Sequence, residues 1–113
     1  MTEDDVLAEF RSSGALLEGH FKLSSGRHSG HYLQCARVLM NPARASRLAE
    51  AVVAGIPADV RAAIDVVVSP AMGGIIIGHE VGRALGKDAL FLERPDGTFT
   101  LRRGFALAPG SKV

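Results

Sequence analysis

The stretch from Asp65 to Leu92 constrains the fold more than any other. Asp65-Val66-Val67-Val68-Ser69 is a β-branched run of the kind that forms a strand buried on both faces of a sheet, and it stops at Pro70. A helical pattern begins near Gly74, with Ile77, Val81, Ala84 and Leu85 on one face and Gly86 ending it. Ala89-Leu90-Phe91-Leu92 is a second apolar strand, so residues 65 to 92 read as a β-α-β unit with a right-handed crossover. An α/β architecture with a parallel sheet follows.

The segments around this unit are shorter. Thr2 before Glu3, Asp4 and Asp5 has the form of an N-cap with an acidic first turn, and Val6, Leu7 and Phe10 recur at helical spacing up to Gly14. Ala15-Leu16-Leu17 and His20-Phe21-Lys22-Leu23 read as two extended segments around a turn at Glu18-Gly19. Ser24 to Gly30 is a polar, glycine-punctuated loop, and Tyr32-Leu33-Gln34-Cys35 has the character of a strand in which Cys35 is a small buried hydrophobe. Asn41-Pro42 predicts a helix start, with Leu48, Ala51 and Val52 on one face before Gly55. Pro95-Asp96-Gly97 and Ala108-Pro109-Gly110 are breaks, and Lys112-Val113 reads as the first step into a further strand.

Composition narrows the class. A chain of 113 residues has room for one domain and one core, and 47% hydrophobic with 22% charged residues is ordinary for a globular protein. A formal net charge of +1 gives no general affinity for polyanions, so nucleic acid is not an expected partner. One cysteine excludes an internal disulfide, and the four histidines lack metal-site spacing. The acidic N-terminus is unlike a secretory signal, and no apolar run reaches the length of a membrane span, so a cytoplasmic protein without a membrane partner is expected.

The chemistry concentrates at Pro70-Ala71-Met72-Gly73-Gly74. This loop lies at the carboxyl end of a strand and at a helix N-terminus, where backbone N–H groups attract anions and glycine permits close approach. It is neither a Walker loop nor a dinucleotide fingerprint. Phosphate binding and a plain tight turn with close helix–strand packing both fit it. Arg27 in its Ser/Gly loop could fix a carboxylate or phosphate, although a solvated arginine is the commoner outcome. Arg94, Arg102 and Arg103 are compatible with a cationic lid over a polyphosphate or with a hydrated hairpin.

Three segments in this order, Phe21-Lys22-Leu23-Ser24-Ser25-Gly26-Arg27-His28-Ser29, Val68-Ser69-Pro70-Ala71-Met72-Gly73-Gly74-Ile75 and Phe91-Leu92-Glu93-Arg94, resemble orotate phosphoribosyltransferases. The resemblance implies a type I phosphoribosyltransferase fold: a mainly parallel central sheet flanked by helices, with an N-terminal hood over about residues 1–40 and the first part of the core sheet over about 41–113. It implies transfer of ribose 5-phosphate from phosphoribosyl pyrophosphate to orotate, with Mg²⁺, in a homodimer. Carried over by position, Ser24, Ser25, Gly26, Arg27, Tyr32 and Leu33 line the orotate pocket. Ala71, Met72, Gly73 and Gly74 hold pyrophosphate, Arg94 and Thr98 contact the donor, and Arg102 and Arg103 lie in the flexible catalytic loop. No side chain here is implied as a metal ligand.

Some positions depart from the family's pattern. Many members have lysine in place of Ser24, a Tyr-Lys pair in place of Met72-Gly73, and further lysines where this chain has Pro95 and Thr98. A branch with Met-Gly-Gly and an Arg-Arg loop is the better comparison. The family also places two acidic residues and a Thr/Gly-rich turn after a strand that starts as Lys112-Val113 does, to hold the ribose and its phosphate. Those residues are not in this sequence, so the sheet is expected to be incomplete at its C-terminus and the 113-residue chain alone inactive. The alternatives are a phosphoribosyltransferase-like regulator sensing phosphoribosyl pyrophosphate and a purine phosphoribosyltransferase.

Overall fold

The structure is a computed structural model that describes residues 1–113. The chain divides into two compact units, Met1–Arg44 and Ala45–Val113.

In the first unit, α1 (Glu3–Ser12) opens with a complete capping box. The Thr2 hydroxyl accepts from the Asp5 N–H at 3.2 Å, and the Asp5 carboxylate accepts from the Thr2 N–H at 2.7 Å. This satisfies donors that a helix start leaves orphaned, and the Thr2 backbone bond holds the Asp5 carboxyl below its ordinary value. The following strands, β1 (Leu16–Lys22) and β2 (His28–Leu33), pair antiparallel. The two extended segments expected around Glu18-Gly19 are one strand: the register slips by one residue between Glu18 and Phe21, so Gly19 sits in a bulge rather than a turn.

The polar loop is also shorter than its composition suggests, because β2 begins at His28. Cys35 is neither in a strand nor buried. It is exposed and starts α2 (Cys35–Leu39), a five-residue helix that the β-like residues before it conceal. Ala15 and Val38 are fully buried, and Arg44 ties the unit together through the Glu9 carboxylate at 3.1 Å and the Ser12 hydroxyl at 2.6 Å.

The boundary between the units falls in the first turn of α3 (Pro42–Ala54), which starts where Asn41-Pro42 places it: the Asn41 side chain accepts from the Arg44 N–H at 3.1 Å. In the second unit, a short helix α4 (Ala58–Ala63), unmarked in the sequence by any strong period, leads to β3 (Val67–Pro70). The crossover helix α5 (Ile75–Leu85) and β4 (Ala89–Glu93) complete the β-α-β unit. The strands are parallel with Val67 opposite Ala89 and Pro70 opposite Leu92. Gly86 closes α5 in the left-handed conformation at φ 69°, as a C-terminal glycine should. A two-residue strand, β5 (Thr100–Leu101), returns antiparallel along β4, giving the order β3-β4-β5.

Two packing details differ from expectation. The closest face of α5 is not its isoleucines but Gly78 and Gly82, both buried. A Cβ at Gly78 would stand 2.7 Å from the Ser69 Cβ, and one at Gly82 would stand 2.9 Å from the Ala89 Cβ, so the helix lies on the sheet at a distance only glycine allows. Secondly, Val67 and Val68 are half-buried, not sealed on both faces. Just before β3, Asp65 and Lys112 exchange bonds. The Asp65 N–H donates to the Lys112 carbonyl and the Lys112 N–H to the Asp65 carboxylate, each at 2.8 Å.

Candidate active site

The second unit concentrates its polar backbone at the carboxyl ends of β3 and β4. The Ala71 N–H donates to the Leu92 carbonyl at 2.7 Å, extending the ladder one step past Pro70 and fixing the loop beside the end of β4. The chain then turns through Met72 and Gly73, with a cis peptide between Ala71 and Met72. Gly74 closes the turn by donating to the Pro70 carbonyl at 3.0 Å, and caps α5 without a side chain.

Only glycine fits there, since a Cβ on Gly74 would lie 2.6 Å from the Pro70 carbonyl oxygen. Gly73 faces open space and Met72 is 84% exposed. The result is an accessible turn at the positive end of an eleven-residue helix. Ala71, Met72, Gly73 and Gly74 therefore stand together on one short turn.

The arginines lie on the segment that follows β4. Arg94 leaves β4 and stacks over the Phe99 ring, with its guanidinium carbon 4.9 Å from the centroid. Thr98 turns the loop by donating its N–H to the Asp96 carboxylate at 3.3 Å, with Gly97 at φ 88°. Pairing of Glu93 with Thr100 then returns the chain so that Arg102 and Arg103 meet Glu93. Arg103 donates to the two Glu93 oxygens through Nε and Nη2, each at 3.0 Å, and Arg102 stands 4.0 Å away. These bonds, led by the one from Arg103, hold the Glu93 carboxyl below its usual range and the Arg103 guanidinium above its own.

Below the ion pair, Phe105 meets Phe91 edge-on at 5.2 Å and Arg103 lies 5.8 Å from the same ring. Glu93 was given no role by the sequence reading. The available signal was positional: an acidic residue ending an apolar strand, ten residues before an arginine across a hairpin.

The remaining candidates belong to the first unit. Ser24, Ser25 and Gly26 form the β1–β2 connection, closed by Gly26 N–H to the Leu23 carbonyl at 2.9 Å and Leu23 N–H to the Arg27 carbonyl at 2.8 Å, with Gly26 at φ 85°. Arg27 is exposed at its end. Tyr32 and Leu33, 39% and 53% exposed, end β2, and Tyr32 lies tilted against Phe21 at 5.8 Å. A contact absent from the sequence reading joins His20 Nε2 and His28 Nδ1 at 2.6 Å on this hairpin.

Together these elements make a parallel β-α-β unit of α/β type with its glycine turn at the carboxyl end of β3. Solved structures agree on that fold: orotate phosphoribosyltransferase from Aeropyrum pernix superposes with a TM-score of 0.68 at 24% identity, over 86% of this chain and 56% of that one. The Leishmania donovani UMP synthase superposes with a TM-score of 0.64 at 14% identity, over 90% of this chain and 22% of that one.

By sequence, the chain is similar over its whole length to orotate phosphoribosyltransferases. It is 75% identical over 113 residues to an orotate phosphoribosyltransferase of Erythrobacter litoralis and 74% identical to that of Novosphingobium aromaticivorans. It spans 58% of the length of each of these relatives. No family model matches the chain.

Proposed function

We propose that this chain supplies the base-reading loop and the pyrophosphate cradle of an enzyme that transfers ribose 5-phosphate from phosphoribosyl pyrophosphate to orotate. The observation that carries the reading is identity of 75% over all 113 residues to a relative named for that activity. The geometry supports it. Breaking the bond at the anomeric carbon leaves positive charge on the ribose and negative charge on pyrophosphate, so donors preorganised at the leaving group stabilise the transition state. The turn from Ala71 to Gly74 offers the amides of Met72 and Gly73 at a helix N-terminus, and the segment after β4 offers the guanidiniums of Arg94, Arg102 and Arg103. Orotate brings an acidic ring nitrogen, so no strong protein base is needed.

In the same reading Arg27 pairs with the orotate carboxylate, the backbone of Tyr32 and Leu33 reads the base, and Thr98 contacts the donor. The arginine loop serves the neighbouring subunit of a homodimer in the cytoplasm. No helix of the structure is long and apolar enough to cross a membrane. No trio of His, Cys, Asp or Glu side chains stands together to hold a metal ion. Mg²⁺ on a polyphosphate commonly keeps water and phosphate oxygens as ligands, so it enters the reading with the donor, neutralising pyrophosphate oxygens.

The test is orotidine 5′-phosphate formation by the whole native polypeptide supplied with orotate, phosphoribosyl pyrophosphate and Mg²⁺, with hypoxanthine and adenine as competing bases. Turnover of orotate alone is expected. Turnover of a purine instead, or of nothing, rejects the reading.

A further inference from the structure

We propose that Glu93 is a positioning residue: it latches the arginine segment at the end of β4 in the resting state and surrenders Arg103 to the incoming pyrophosphate group. This rests on the pyrophosphate reading of the Ala71–Gly74 turn.

The anchor is stiff and the arginines are loose. Glu93 is the last residue of β4, with its side chain only 18% exposed, whereas the side chains of Arg102 and Arg103 are 54% and 61% exposed. Exchange of partner therefore means movement of the arginines, not of the carboxylate. The segment is also held in an unfavourable backbone shape. Arg103 has φ 59° and is followed by Gly104 at φ 76°, and a left-handed arginine is disfavoured by contacts of its own Cβ. The two-pronged bond to Glu93 offsets that cost while the segment rests.

Charge gives the direction of exchange. One carboxylate faces two guanidiniums, so the cluster keeps a net positive charge that a more highly charged anion can satisfy better. Pyrophosphate offers both the charge and the paired oxygens that guanidinium prefers. The Glu93 carboxyl, held down by Arg103, stays ionised at neutral pH and so remains a standing competitor for the arginines. A latch of this kind lowers apparent affinity by the fraction of chains in which it is closed.

The experiment measures pyrophosphate binding by calorimetry, and trypsin cleavage after residues 102 and 103, on the whole native polypeptide. Glu93→Gln, nearly isosteric, is expected to bind pyrophosphate about 2–5-fold more tightly, the range that an exposed ion pair of this kind supports, and to be cleaved faster when no ligand is present. Arg103→Lys keeps the charge and cannot make the two-pronged pair, so it is expected to be cleaved faster as well, which covers the case that Glu93→Gln does not fold. A Glu93 with only a structural role gives the opposite sign, weaker binding on its loss. Unchanged or weaker binding in Glu93→Gln, or unchanged cleavage in both variants, overturns the latch and leaves the functional reading standing. Absence of pyrophosphate binding in the unaltered protein overturns both.

Discussion

The two units hold their candidate residues by different physical means. In Met1–Arg44 the loop bearing Ser24 to Arg27 is fixed locally, by turn hydrogen bonds within a single antiparallel hairpin and a bulge at Gly19. In Ala45–Val113 the turn from Ala71 to Gly74 is fixed by tertiary packing. Parallel pairing of β3 with β4 requires the crossover, and α5 lies against the sheet through Gly78 and Gly82. Arg83 joins the same unit by bonding the Ser46 hydroxyl on α3 at 2.8 Å and the Glu80 carboxylate at 2.8 Å. Under the proposed function the first loop has only to adapt to a flat base, whereas the second must hold its amides in place for a phosphate, and close packing does so.

The sharpest way to break this contrast is a matched pair of glycine substitutions. Gly74→Ala forces a Cβ to 2.6 Å from the Pro70 carbonyl oxygen, whereas at Gly30 the nearest atom, the Gly19 carbonyl oxygen, would be 3.8 Å away. Overpacking of the first kind costs about 1–3 kcal/mol, and the second change should stay within about 0.5 kcal/mol of zero, both read from urea unfolding. Equal costs would abolish the distinction.

Next in size is Arg27→Ala. Loss of a charge-assisted pair, about 1.5–3 kcal/mol, should weaken orotate binding by tenfold or more on that scale and leave pyrophosphate affinity unchanged. A matching loss for pyrophosphate would show that the two units do not divide the ligands.

Smaller still is Thr2→Ala, which removes one half of the capping box and should cost about 1 kcal/mol. Hydrogen exchange should quicken in α1 while the amides of β3 and β4 keep their protection, which would confirm that the first unit is held locally.

The least effect concerns pH. The folded Glu93 carboxyl is depressed, so the stabilisation from its bonds to Arg103 is present above the ordinary carboxylate value and is lost as pH falls through the lower, folded one. Cleavage by an acid-tolerant protease at the arginine segment should therefore rise only on the acid side of pH 4.5, the unperturbed value for this group. A rise between neutrality and pH 6 would assign the protection to another group.

Much of the second unit was legible because its signals are periodic and punctuated. The β-branched run ending at Ser69-Pro70, the helix ending at Gly86 and the strand after it can be read residue by residue. Less legible were the elements too short to show a period: α2 at Cys35–Leu39, α4 at Ala58–Ala63 and the two residues of β5. Cys35 was misplaced because Tyr32 and Leu33 favour a strand, and nothing local announces that the strand stops at Leu33. Among the candidate site residues, the sequence grouped Ala71 to Gly74 correctly as one turn, since they are contiguous. It could not group Glu93 with Arg103.

The sequence by itself determined the β-α-β unit, the helix caps at Thr2 and Asn41, and the places where only glycine can follow the backbone, because each depends on neighbours within a few positions. Tertiary structure alone decided that α5 approaches the sheet through glycines rather than isoleucines, that Gly19 forms a bulge, and that two arginines share one carboxylate. Those outcomes depend on which atoms a second element brings within a few ångströms, and strand register sets that distance across residues that are far apart in the chain.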